Sequence, residues 1–170
     1  MGRKTFETMA SYWPSSTNPF AAPMNSIPKL VFTRSGKVDF DAISSAARAQ
    51  SHQAADADDE KKKLSHASPE ETKKNQKSWH DPIIATDLGA EIARQKARPG
   101  QPLIAYGGAS FARELIKQDL IDEYRLVVHP VALGRGLPIF DGLEQLRALK
   151  LISSSTFPSG ATARIFARDR

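Results

Sequence analysis

Residues 102–111 read Pro102-Leu103-Ile104-Ala105-Tyr106-Gly107-Gly108-Ala109-Ser110-Phe111. A short apolar run meets a glycine pair, and the pair opens an amphipathic stretch that ends at Lys117. That order predicts a strand over 102–106, a tight turn, and a helix over 109–117. Paired glycines let a backbone approach a ligand closely, and the helix that follows points its free N–H groups at the same spot. Pyrophosphates suit such a place, although most glycine pairs before helices are no more than tight turns.

Working outward, residues 123–131 alternate, with Tyr124, Leu126 and Val128 on one face, which predicts a strand. Residues 149–157 and 161–167 flank Pro158-Ser159-Gly160 and read as a C-terminal hairpin. On the other side, residues 83–86 form a short apolar run. Asp87 then caps a helix expected over 87–97, which Arg98-Pro99-Gly100 stops. Near the start, Phe6, Met9 and Ala10 share one side of a helix expected over 3–11, closed by Trp13-Pro14. Lys29-Leu30-Val31-Phe32-Thr33-Arg34 reads as a buried strand running into the turn Ser35-Gly36. Strands alternating with helices predict an α/β fold of three layers. Its mixed β-sheet would carry 102–106, 123–131, 149–157 and 161–167, flanked by helices and ending in the antiparallel hairpin.

Residues 37–78 differ in character. Ala, Ser, Gln, Asp, Glu and Lys dominate between Asp41 and Lys77, and Phe40, Ile43 and Leu64 stand almost alone as large apolar residues. Such a segment buries too little surface to offset its ordering entropy. The expectation is one domain over 1–170 with a polar insertion at 37–78. Residues 41–77 would lie outside the core, as a solvated helix near 41–54 and a loop or disordered stretch beyond it.

Composition removes several function classes. The chain has 24 basic and 19 acidic residues and a formal charge of +5. Lys61, Lys62 and Lys63 follow directly on Asp58, Asp59 and Glu60, with no aromatic between them. That is a solvated charged segment rather than a base-stacking platform, so no nucleic-acid partner is expected. No cysteine is present, which excludes disulfides and thiolate chemistry. No apolar run is long enough to span a bilayer, and the charged start leads into no secretory h-region, so no membrane partner and a cytoplasmic setting are expected. His52, His66, His80 and His129 lack metal-ligand spacing, and no metal site is expected. Gly134-Arg135-Gly136 begins a dinucleotide fingerprint that fails at Ile139. No nucleophile or acid–base constellation emerges, so the catalytic residues are unknown and a cofactor would carry the chemistry.

Tyr106-Gly107-Gly108-Ala109-Ser110-Phe111, then Leu120-Ile121-Asp122-Glu123-Tyr124-Arg125-Leu126, then His129-Pro130-Val131-Ala132-Leu133-Gly134-Arg135-Gly136-Leu137-Pro138-Ile139-Phe140, resembles the C-terminal half of the dihydrofolate reductase-like family. The likeness is closest to the bacterial branch that also resembles the C-terminal pyrimidine reductase domain of riboflavin biosynthesis. Met1-Gly2-Arg3-Lys4-Thr5-Phe6-Glu7 resembles the family's G-R-x-T-x-E segment. The resemblance covers residues 1–35 and about 79–170.

The resemblance implies NADPH as cofactor. Gly2, Arg3, Lys4 and Thr5 match the segment that meets the cofactor's phosphates. Thr33, Arg34 and Ser35 match the strand end that receives the adenosine 2′-phosphate in many relatives. Gly107, Gly108, Ala109, Ser110 and Phe111 match the glycine turn beside the pyrophosphate and nicotinamide. For Arg3 and Arg34 the plainer reading is surface charge, and for Phe111 it is core packing. Relatives carry a strand, a loop and a helix ahead of the G-R-x-T segment, so the expectation is a fold lacking the usual first strand.

The implied function is an NADPH-dependent reductase passing hydride to a small pterin-like or pyrimidine heterocycle, such as 5-amino-6-(5-phosphoribosylamino)uracil or a folate. With the first segment absent, activity stays open, and a non-catalytic nucleotide-binding or interaction relative is the alternative. The resemblance also implies a homodimer paired through the C-terminal strands, with residues 123–129 as the surface.

Overall fold

The computed structural model describes residues 1–55 and 67–169. The acidic and basic run at 56–63 and the isolated Leu64 lie outside the described residues. The chain forms two compact units, Met1–Gly108 and Ala109–Arg170.

In the first unit, helix α1 (Arg3–Tyr12) runs into a 3₁₀ turn at Trp13–Ser15. Pro14 sits in that turn, where its missing N–H costs nothing. Helix α2 (Ala21–Ser26) and strand β1 (Leu30–Phe32) follow, then helix α3 (Phe40–Ala55) and helix α4 (Pro69–His80). Strand β2 (Ile83–Ala85) and helix α5 (Leu88–Lys96) complete the regular elements. Strand β2 pairs parallel with β1, Val31 opposite Ile84. Asp87 caps α5 as expected, accepting from the Ala90 N–H at 2.9 Å.

The core of this unit joins Phe6 and Ala10 of α1, Met24 of α2, Val31 of β1, Ile43 of α3 and Trp79 of α4. The Phe6 and Trp79 rings lie 5.7 Å apart and tilted, and both are essentially fully buried. Burying a side chain of this size contributes about 2–3 kcal/mol. Trp79 also satisfies its indole N–H, which donates to Asn25 Oδ1 at 2.8 Å.

This packing corrects the reading of the polar segment. Helix α3 forms where a solvated helix was expected, but Ile43 anchors it in the core, with Val38 and Phe40 packed alongside. Residues 69–80, expected as loop or disordered chain, are helical. Ser68 caps α4 by accepting the Glu71 N–H at 3.2 Å, Pro69 fits the first turn, and Glu70 and Glu71 complement the helix dipole. The counting of apolar residues missed this helix because one side chain, Trp79, supplies most of its burial.

The second unit opens with helix α6 (Ala109–Lys117), which buries Leu115 and Ile116. Strands β3 (Glu123–Val128), β4 (Leu149–Thr156) and β5 (Thr162–Arg168) form an antiparallel sheet in the order β3-β5-β4. The hairpin between β4 and β5 turns through Gly160 at φ +80°, a conformation that favours glycine. Asp119, itself at φ 57°, accepts from Arg168 and forms an ion pair with Arg147 at 3.1 Å. That pair of contacts ties the end of α6 to β5 and to the approach to β4.

The α/β class and the terminal hairpin are as expected, but the single sheet is not. The strands fall into a two-stranded parallel sheet and a three-stranded antiparallel one. Residues 102–106 form no strand, and Leu103, Ile104 and Tyr106 are exposed. A strand needs a neighbour to take its N–H and C=O groups, and no described strand pairs with this run. Its apolar composition alone does not make a ladder. No helix among the described residues is long and apolar enough to cross a membrane.

Candidate functional site

Two segments far apart in sequence meet at the end of β1. Phe32 N–H donates to the Met1 carbonyl at 2.9 Å, and Gly2 bridges Phe32 in parallel register. The first turn of α1 is thereby laid against the strand end. Gly2, extended at ψ 156°, stands at the N-cap, where no side chain caps the helix and the first turn holds no acidic residue. The first intrahelical bond runs from Phe6 N–H to the Gly2 carbonyl at 3.0 Å. The N–H groups of the first turn have no helical acceptor, but the bridge to Phe32 engages that of Arg3; those beyond it carry the positive end of the helix dipole.

Beyond Phe32 the chain turns sharply. Thr33 N–H extends the ladder onto the Ala85 carbonyl at 3.1 Å. The Thr33 hydroxyl is drawn into the turn. It accepts the Ser35 N–H at 3.3 Å and lies 3.1 Å from the Ser35 hydroxyl. Gly36 closes the turn at φ +67°, and a Cβ there would make only ordinary contact with Thr86. Backbone conformation, not space, is what calls for glycine.

Residues of the turn and just after it line two cavities. One, of about 510 Å³, is lined by Arg3, Ser35, Lys37, Val38, Asp39, Phe40 and Asp41. The other, of about 380 Å³, is lined by Gly36, Ile84, Ala85, Thr86, Asp87, Ala90, Glu91 and Arg94. Of the residues lining the first, Arg3 donates from Nη1 to both carboxylate oxygens of Glu7, at 2.8 and 3.1 Å. Asp39 is committed to capping α3, accepting the Ala42 N–H at 2.8 Å. In the second, Arg94 grips Glu91 through Nε and Nη2 at 2.9 and 2.7 Å, and Gln95 donates to the same carboxylate. Those bonds, Arg94's first, hold the Glu91 carboxyl below its usual range.

Arg3 and Ser35, from the two segments singled out in the sequence, thus share one cavity wall, with Gly2, Lys4 and Thr5 in the same helix start. Thr33 is buried and shapes the turn, whereas Arg34 stands exposed at its tip and lines neither cavity. Gly107, at φ 149°, and Gly108 end the first unit. Ala109, Ser110 and Phe111 form the first turn of α6 in the second. Sequence reading missed Lys37, which it assigned to the polar insertion. The signal was its place directly after Gly36, whose positive φ swings the chain so that Ser35 and Lys37 line the same cavity. It also missed the α5 wall, where Asp87 was read only as a cap.

A helix start and a hydroxyl-bearing strand-end turn thus meet at one cavity of an α/β protein. The chain belongs to the RibD C-terminal domain family, whose model matches residues 1–163. It is similar to the uncharacterized protein YyaP of Bacillus subtilis, at 37% identity over 84 residues, 49% of this chain and 45% of that protein. YwjB of the same organism, also uncharacterized, is 35% identical over 78 residues, 46% of this chain and 45% of that protein. The chain spans about half the length of both.

Among solved structures, one resembles it over 100% of this chain and 72% of the other, with a TM-score of 0.58 and 21% identity. That protein, from Shewanella sp. PV-4, is assigned to riboflavin biosynthesis. A pyrimidine reductase-like protein from Corynebacterium diphtheriae matches 99% of this chain and 74% of its own, with a TM-score of 0.55 and 14% identity. These structural likenesses bear on the fold.

Proposed function

We propose that this chain binds NADPH and serves an NADPH-dependent reduction of a small pyrimidine or pterin-like heterocycle. The observation that carries this reading is the meeting of Arg3 and Ser35 on the wall of the 510 Å³ cavity, beside the uncapped start of α1. The donor set fits a phosphate. A guanidinium, a hydroxyl and helix N–H groups are hydrogen-bond donors of the kind that hold pyrophosphate. Asp39 and Asp41 share the wall with Arg3 and Lys37, and Asp39 is committed to capping α3.

Arg3, with Gly2, Lys4 and Thr5, would hold the pyrophosphate. Ser35 and Arg34 would meet the adenosine 2′-phosphate, with Lys37 adding charge. The reduced nicotinamide supplies hydride when bound; the side chains supply binding and orientation. Family membership and the pyrimidine reductase-like neighbour support the substrate class.

Calorimetric titration of the chain with NADPH and NADH tests the reading. Tighter binding of NADPH is expected. Binding of neither at millimolar concentration would reject it.

A further inference from the structure

We infer that Glu7 is a positioning residue for the dinucleotide phosphates: it holds Arg3 through Nη1, with the guanidinium's other edge left for the ligand. This rests on the phosphate role of Arg3 proposed above.

An arginine offers two forked edges, one through both terminal nitrogens and one through Nε and Nη2. Glu7 engages a single nitrogen, Nη1, with both carboxylate oxygens, at 2.8 and 3.1 Å. Nε and Nη2 have no acceptor among the described residues. Those two nitrogens form the fork that matches one edge of a phosphate.

Placement separates the two partners. Arg3 contributes to the wall of the 510 Å³ cavity, whereas Glu7, one helical turn on, does not. The Glu7 side chain is 20% exposed and that of Arg3 40%. The carboxylate is therefore the more sheltered member of the pair. A glutamate at this spacing is ordinarily a modest surface helix pair. Here the pair holds the guanidinium of a residue that lines the cavity. Held in place before a ligand arrives, Arg3 loses less side-chain freedom on binding.

A double-mutant cycle tests this, with NADPH and NADH as the probes and calorimetry as the readout. Glu7→Ala is expected to weaken both dinucleotides by roughly two- to tenfold, the cost of ordering one long side chain. Glu7→Gln keeps an acceptor for Nη1, and should restore most of the affinity. In an Arg3→Ala background, Glu7→Ala should cost nothing further, because there is no guanidinium left to position.

Tighter binding by Glu7→Ala would overturn the inference and make Glu7 a competitor for Arg3. An equal loss with and without Arg3 would also overturn it, since that is the signature of damage to α1. If the unmodified chain binds neither dinucleotide, the phosphate reading falls and this inference with it. If the chain binds both and Glu7→Ala changes nothing, only the role of Glu7 falls.

Discussion

Lys29 is 4% exposed, and no carboxylate lies within ion-pair distance of it among the described residues. Its ammonium donates to the Asn25 carbonyl at 3.2 Å and to the Ser78 hydroxyl at 3.4 Å, and it stands 4.3 Å from the centre of the Trp79 ring. These neutral partners join α2, β1 and α4 but only partly replace water around a charge. Burial pulls the Lys29 pKa down from 10.5 to about 8.

The difference corresponds to about 3 kcal/mol between the two protonation states. Because the folded-state value is the lower one, the unfolded chain binds more protons between pH 8 and 10.5, and stability rises with pH across that window. Lys29→Met keeps the length of the side chain and removes the titration. Urea denaturation of both proteins from pH 7 to pH 10 isolates the effect, since other lysines and tyrosines cancel in the difference. The native protein should gain about 2 kcal/mol on the variant over that range. Parallel curves would show that the ammonium is solvated in the folded protein and would refute the burial argument.

Three further outcomes follow from packing. The Tyr124 hydroxyl is buried with no hydrogen-bond partner among the described residues, so Tyr124→Phe should leave the melting temperature unchanged or raise it. A loss above about 1 kcal/mol would reveal a partner. Gly36→Ala places a Cβ at φ +67° and should cost about 1–2 kcal/mol in denaturant melts. It should also weaken dinucleotide binding by displacing Ser35; an unchanged stability would contradict the turn geometry. Ile43→Ala should destabilise by about 2–4 kcal/mol, whereas a loss below about 0.5 kcal/mol would return α3 to the solvent-facing role its composition suggested.

Local rules carried much of the fold in the sequence. Asp87 as a cap, Pro158-Ser159-Gly160 as a hairpin and the alternation around Tyr124 each depend on neighbours a few residues away, and each appears as read. The run at 102–106 does not become a strand, because pairing is a property of what lies beside it. Helix α4 was hidden for a related reason. Its sequence is polar, and its place is fixed by Trp79 packing on Phe6 and donating to Asn25, both more than fifty positions away. At the candidate site, Arg3 and Ser35 were legible through the family resemblance. Lys37 was not, because its position depends on the positive φ of Gly36. The hydroxyl of Thr33 lies within the turn, where it accepts the Ser35 N–H.

The claim that the α1 start and the Thr33–Gly36 turn form a dinucleotide-phosphate site is tested most directly by calorimetric affinities for NADPH and NADH. The measurement compares the unmodified chain with its Arg34→Ala and Arg3→Ala variants. Arg34→Ala should weaken NADPH by roughly tenfold to a hundredfold and leave NADH nearly unchanged, the cost of one charge-assisted contact to a 2′-phosphate that NADH lacks. Arg3→Ala should weaken both, since its expected partner is the shared pyrophosphate. Equal losses for the two dinucleotides on changing Arg34, or undiminished binding of both without Arg3, would contradict the account.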